Sequence, residues 1–223
     1  MRGAVESGPM QPGLAPVRPL PLRTGRRRRV LTDLARIFST ICNPFVTALV
    51  LFVIIAHQLT TDTPAFWKLL FTSTIFTSIG PMLYVLWLYS TDRIADLDMS
   101  VRSEREKVFF VFVVFYGLGT LVLFLGHAPT LLTATMAGYT AASLVVQYIT
   151  RYWKISTHAL GITAPLVVMV HLYGLQPVPF LVLIPIVGWS RVWLRAHTIL
   201  QVVAGTALGA FSVLFFFRVF HLI

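Results

Sequence analysis

The chain has 223 residues, of which 57% are hydrophobic and 12% charged, and its formal net charge is +10. Soluble domains carry about twice that charged fraction, so an entirely water-facing surface is excluded. The positive charge gathers in an N-terminal tail and in short loops rather than along an exposed stripe, which argues against a nucleic-acid partner.

Residues 1–30 are rich in Pro, Gly and Arg and close with the run Arg26-Arg27-Arg28-Arg29. No compact core forms from such a stretch, so a disordered basic tail is expected there, with a transmembrane domain over 31–223. The arginine run reads as a topology signal, and contact with anionic lipid is a second role for it. Cys42, the single cysteine, lies in an apolar block and reads as a small buried hydrophobe.

Apolar segments follow at about 37–57, 66–90, 107–126, 129–150, 157–174, 178–193 and 197–218. Blocks of this kind suit the roughly 30 Å hydrocarbon layer as helices. They predict an all-α polytopic transmembrane bundle of about seven spans. Asn43-Pro44 predicts a bend within the first block rather than a break. The short segments on either side of 173–178 read as a tight helical hairpin, with a partly re-entrant pair as the alternative. Gly205 and Gly209 form a small-x3-small pattern, which is read as packing within the chain rather than as a dimer seam.

Seven crossings place the tail and the loops near 91–106, 151–156 and 194–196 on one side, together with 16 of the 18 Lys and Arg residues. Only Lys68 and Arg218 fall toward the other. That bias predicts a cytoplasmic N-terminus and cytoplasmic loops.

Those three loops carry most of the polar chemistry. Two crossings separate each from the next, so all three can converge at one face. His158 and His197 each stand near the start of a span, where helix N-terminal amides favour an anion. Lys154 precedes His158 by four residues, and Arg191 precedes His197 by six. Two imidazoles and several cations suit phosphoryl transfer: one histidine attacks phosphorus, the other protonates the leaving oxygen, and cations stabilise the equatorial oxygens. A single interfacial histidine more commonly packs or meets headgroups. It is the pairing on one face that favours chemistry. His57, His127 and His221 fall toward the opposite face and His171 deep in its span, so structural or interfacial roles are expected for these four.

Ser190-Arg191, five residues and then His197 resemble the third signature, Ser-Arg-x5-His-x3-Asp, of the type 2 phosphatidic acid phosphatase superfamily. Ile155-Ser156-Thr157-His158 resembles its second signature, Pro-Ser-Gly-His, in the Ser and the His. The resemblance covers residues from about 90 to 218. It implies a phosphatase-like helical core in which His197 is the nucleophile that forms a phosphohistidine and His158 is the general acid. By the same resemblance, Arg191, Ser190 and Ser156 hold phosphate oxygens, no metal or other cofactor is required, and the substrate is a lipid phosphate or an isoprenyl (di)phosphate. Membrane lipids are then the expected partners.

The chain departs from the family at three places. Gln201 stands where the pattern has the Asp that orients the nucleophile. The first signature, Lys-x6-Arg-Pro, is absent as written, and Asp98 stands seven residues before Arg105 where it has Lys. Arg102 and Arg105 occupy the corresponding loop as phosphate clamps, and Lys154 is a replacement for the missing cation.

Two other readings compete. Asp92 and Asp96, four apart, share a face if their segment is helical, and with Asp98 they resemble the first aspartate-rich motif of the UbiA-type prenyltransferases, which are Mg2+-dependent. No aspartate follows Asp98, so the second motif of that family is missing, and ion pairing with Arg93, Arg102 and Arg105 is the simpler role for these acids. A catalytically inactive protein that binds lipid phosphates is the other alternative.

Overall fold

The computed structural model describes residues 25–97 and 101–223, with the side chain of Arg102 outside that description. The described residues are helical, in the order α1 (Arg26–Ile41), α2 (Pro44–Leu59), α3 (Thr63–Thr74), α4 (Gly80–Ser90), α5 (Arg102–Leu125), α6 (Thr130–Thr150), α7 (Thr157–Tyr173), α8 (Leu183–Trp193) and α9 (Ile199–Val219). The all-α expectation holds for them. Arg26–Val30, expected within the basic tail, are instead helical and open α1; the rest of that expectation, over residues 1–24, lies outside the described residues.

Asn43-Pro44 is a break, not the bend expected. Pro44 has no N–H to continue α1, and its fixed φ suits the first position of a new helix. Asn43 caps that helix by accepting the Phe45 N–H at 2.9 Å. The axes of α1 and α2 consequently differ by 47°. In the second apolar block, Pro81 takes a donor out of the ladder, and residues Ile75–Ile79 widen into a π-helical turn joining α3 to α4. Asp62 caps the start of that span through the Ala65 N–H, at 2.9 Å. The expected hairpin after α7 is present: Gly174 turns with a φ of 62°, a 3-10 segment covers Val178–Val182, and α8 returns against α7.

Among the described residues, three helical stretches are long and apolar enough to cross a membrane: Thr63–Ser90, Ser103–Leu125 and Ile199–Val219. Counting α1 and α2 as one bent span makes four. The helix α7 and the stretch Val178–Trp193 are apolar but shorter. By length and apolarity, then, three or four full spans are present among the described residues. Phe71, Phe110, Phe124, Phe180 and Phe211 are each more than half exposed, which fits a chain embedded in lipid.

The helix α6 is the centre of the bundle. Every residue from Leu131 to Tyr139 is buried, and α5 and α9 pack along it. Its hydroxyls are tolerated inside because they turn onto the helix itself, as Thr135 Oγ1 does to the Leu131 carbonyl at 2.7 Å. Helix α9 also lies along α7. A Cβ on Gly209 would stand 2.8 Å from the Leu160 carbonyl oxygen, so the Gly205–Gly209 pair faces α7 and serves packing within the chain. Gly161 likewise admits the ring of Pro44, bringing the start of α2 against α7.

Candidate active site

Segments distant in sequence line one cavity of about 80 Å³: the start of α2, the first half of α5, α6, the start of α7, and the loop from Arg191 to His197. At its polar end stand His158, His197, Arg191 and Arg105, all at least nine-tenths buried. Phe109, Phe112 and Tyr116 of α5 form an apolar wall at helical spacing, facing Tyr139, Ser143 and Val146 of α6. Phe45 closes edge-on against Phe112, with ring centroids 5.5 Å apart.

The position of His197 follows from how α8 ends and α9 begins. The Arg191 carbonyl accepts N–H groups from Ala196 at 3.0 Å and from His197 at 3.2 Å, and Arg195 turns with a φ of 55°. Thr198 then caps α9 in a reciprocal capping box with Gln201. Gln201 Oε1 accepts the Thr198 backbone N–H at 3.1 Å. That donor fixes which way the amide faces, and the same oxygen lies 3.1 Å from His197 Nδ1. Nδ1 must therefore be the protonated nitrogen, which leaves the Nε2 lone pair for chemistry. Burial holds His197 far below the ordinary histidine range, at about 3, with the charges of Lys154, Arg191 and Arg105 adding to the effect; the Gln201 hydrogen bond opposes them.

His158 is the second residue of α7. Ser156 caps that helix, accepting the Ala159 N–H at 3.3 Å, and the Ser156 N–H donates to the Gln201 carbonyl at 3.2 Å. Gly205 sits against the Ser156 carbonyl with no room for a side chain. The second and third loops are thus joined through backbone, which brings both histidines to one cavity.

Arg191 Nη1 donates to Ser39 Oγ of α1 at 2.6 Å. Arg105 Nη2 donates to the Ile155 carbonyl at 3.4 Å, with its guanidinium 5.5 Å from the Phe109 ring centroid. Each buried arginine therefore ties one segment of the site to another.

The remaining expected site residues stand back from the cavity lining. Ser190 Oγ donates to the Val187 carbonyl at 2.7 Å, within its own helix. Ser156 acts as a cap. Lys154 is half-buried and reaches His197 through its charge, while Gln201 stands behind His197. The Arg102 side chain and Asp98 lie outside the described residues.

Residues 91–97 form turns and bends, and Asp92 has a φ of 54°. The helix that would place Asp92 and Asp96 on one face is absent there. Among the described residues, no three His, Cys, Asp or Glu side chains are grouped to hold a metal ion.

His171 is not deep in its span. It lies in the last turn of α7, against Phe217 near the end of α9, with ring centroids 4.8 Å apart. His127 and Lys68 line one crevice where the ends of α2 and α5 meet the starts of α3 and α6, away from the cavity.

Ser39 and the Asn43–Phe45 segment were missed in the sequence reading. Nothing in Ser39's neighbours marks it. The spacing of Arg105, Phe109, Phe112 and Tyr116 was a usable signal, since steps of four, three and four residues keep one helix face. No family model, curated protein or solved structure matches the chain.

Proposed function

We propose that the chain is a divergent member of the type 2 phosphatidic acid phosphatase superfamily, a membrane hydrolase of lipid or isoprenoid phosphates acting through a phosphohistidine. The observation that carries this reading is the gathering of His158, His197, Arg191 and Arg105 around one cavity whose other wall is apolar. A phosphate head meets the cations and imidazoles, while the start of its apolar chain meets Phe109, Phe112 and Val146.

In the first step, His197 Nε2 attacks phosphorus and the bond from phosphorus to the leaving oxygen breaks, with His158 giving that oxygen a proton. In the second, His158 takes a proton from water, the water oxygen bonds to phosphorus, and the bond to Nε2 breaks. Arg191 and Arg105 stabilise the equatorial oxygens. Ser156, Ser190 and Lys154 serve as supports for the loops and as a nearby charge. Gln201 orients the nucleophile by accepting from Nδ1, the task of the family's Asp, without its charge.

The same reading takes α2, the α3–α4 span and α5 through α9 as seven crossings. It puts the site end in the cytoplasm, since Arg105, Lys154, Arg191 and the arginines of α1 lie at that end and Lys68 at the other. A neutral Gln201 favours one second reading, that of a protein that binds lipid phosphates without turning them over, because nothing there offsets an imidazolium.

Phosphate release in EDTA from a panel of lipid and isoprenoid phosphates, beside His197→Ala and His158→Ala, separates the two. Hydrolysis is expected, lost in His197→Ala and reduced by about 10²- to 10⁴-fold in His158→Ala. Saturable binding of the same lipids with no release would leave the binding reading instead.

A further inference from the structure

Helix α1 has three sides of different character. Ala35 and Ser39 are buried, and the helix packs on α8. Val30, Leu34, Ile37 and Ile41 follow one another at steps of four, three and four residues, so they share a second side, and they are 40–61% exposed. The third side is polar and carries the exposed pair Arg36–Asp33, with 3.7 Å between the charged groups. The helix opens on four exposed arginines, Arg26 to Arg29.

Its position is constrained at both ends. The Trp193 indole N–H donates to Thr32 Oγ1 at 3.2 Å, and Arg191 donates to Ser39. Past Asn43 the chain enters α2, turned 47° away. Helix α1 therefore leaves the bundle obliquely beside the candidate site, where the start of α2 lines the cavity.

We propose that α1 is a docking helix for the anionic leaflet of the bilayer. Its Val30–Ile41 stripe lies in the acyl boundary and Arg26–Arg29 engage lipid phosphates. Charge complementarity selects this occupant. An apolar stripe beside a cationic run is the pattern of helices that lie in a membrane interface, and every Lys or Arg near an anionic surface adds to the attraction. A second copy on the same stripe would set two strongly cationic helices against each other. Docking also has a consequence at the site, because Ser39 is carried by this helix and meets Arg191 there. The docking itself does not depend on the phosphatase reading.

The test uses the full chain in vesicles of phosphatidylcholine with or without phosphatidylglycerol. In a Cys42→Ser background, an Ile37→Cys substitution carries a fluorophore on the apolar stripe, and Arg36→Cys carries it on the polar side. With phosphatidylglycerol, the Ile37→Cys probe is expected to be quenched by brominated acyl chains and shielded from iodide, while the Arg36→Cys probe stays open to iodide. Iodide quenching at the Ile37→Cys probe is expected to rise several-fold without phosphatidylglycerol, and again when Arg26, Arg27, Arg28 and Arg29 are all replaced by Gln. Shielding that ignores lipid charge overturns the proposal, as does shielding that grows with protein density, which points to a second copy. Equal iodide access in both vesicles overturns it too.

Discussion

Gln201 Oε1 accepts two N–H donors at once, from the Thr198 backbone and from His197 Nδ1. A helix cap thereby sets the tautomer of a histidine one turn away. Because the amide is neutral, burial and the surrounding cations dominate and keep His197 unprotonated down to about pH 3. In the unfolded chain the same residue takes up its proton near 6.5. Between those values the unfolded chain binds more protons, so acid favours unfolding. The stability in question is fully present above 6.5 and is lost as pH falls toward 3. A His197→Asn variant is expected to lose less of its thermal midpoint between about pH 7 and about pH 4.5 than the parent protein does. Equal losses would show that His197 titrates normally. Replacing Gln201 by Asp puts a carboxylate beside the ring and is expected to raise the His197 pKa, read by NMR titration of the imidazole; an unchanged value would place the Gln201 side chain away from Nδ1.

At the scale of elements, α7 carries His158 in its first turn, α9 starts two residues after His197, and the two helices lie together along the small residues of α9. A methyl group on Gly209 would meet the Leu160 carbonyl oxygen at 2.8 Å and Leu160 Cα at 3.2 Å. Backbone cannot yield as a side-chain tip does. Gly209→Ala is expected to cost about 1–3 kcal/mol and to lower any turnover by moving His197 from His158. Ala207→Leu, on the exposed side of α9, is expected to leave both unchanged. Thermal unfolding in detergent reads the difference, and equal melting of the two variants would contradict this packing. The Gly205–Gly209 spacing was legible in the sequence, since small residues four apart share a helix face whatever else the chain does. The break at Asn43-Pro44 was not. A membrane helix absorbs many prolines as bends, and the cap that Asn43 supplies becomes decisive only once Pro44 packs into Gly161.

Across the described residues, hydrophobic blocks and loop charges sufficed to read the helices, some of them apolar enough to cross a membrane, and the convergence of three loops. The grouping at the cavity was partly legible too, since His158, His197, Arg191 and Arg105, which line it together, were all singled out in the sequence. Ser190 was read as a phosphate ligand, but its hydroxyl satisfies the Val187 carbonyl; a hydroxyl near a helix end has that local option, and sequence spacing does not reveal which partner it takes. Nor does local sequence show that α1 returns to the site through Ser39, because a contact across 152 positions depends on how α1 seats on α8. The number of crossings is less legible than the helices themselves: α7 is short, and α6 keeps Thr and Ser inside the bundle, where they need no lipid-facing apolarity.

The most direct measurement is to mix the purified protein with a labelled lipid phosphate, quench it in base, which preserves phosphohistidine, and locate the label by mass spectrometry. The account expects a phosphoryl group on His197, absent in His197→Ala and longer-lived in His158→Ala, where the water step is slowed. Phosphate release that proceeds with no label on His197, or that survives His197→Ala, would contradict it.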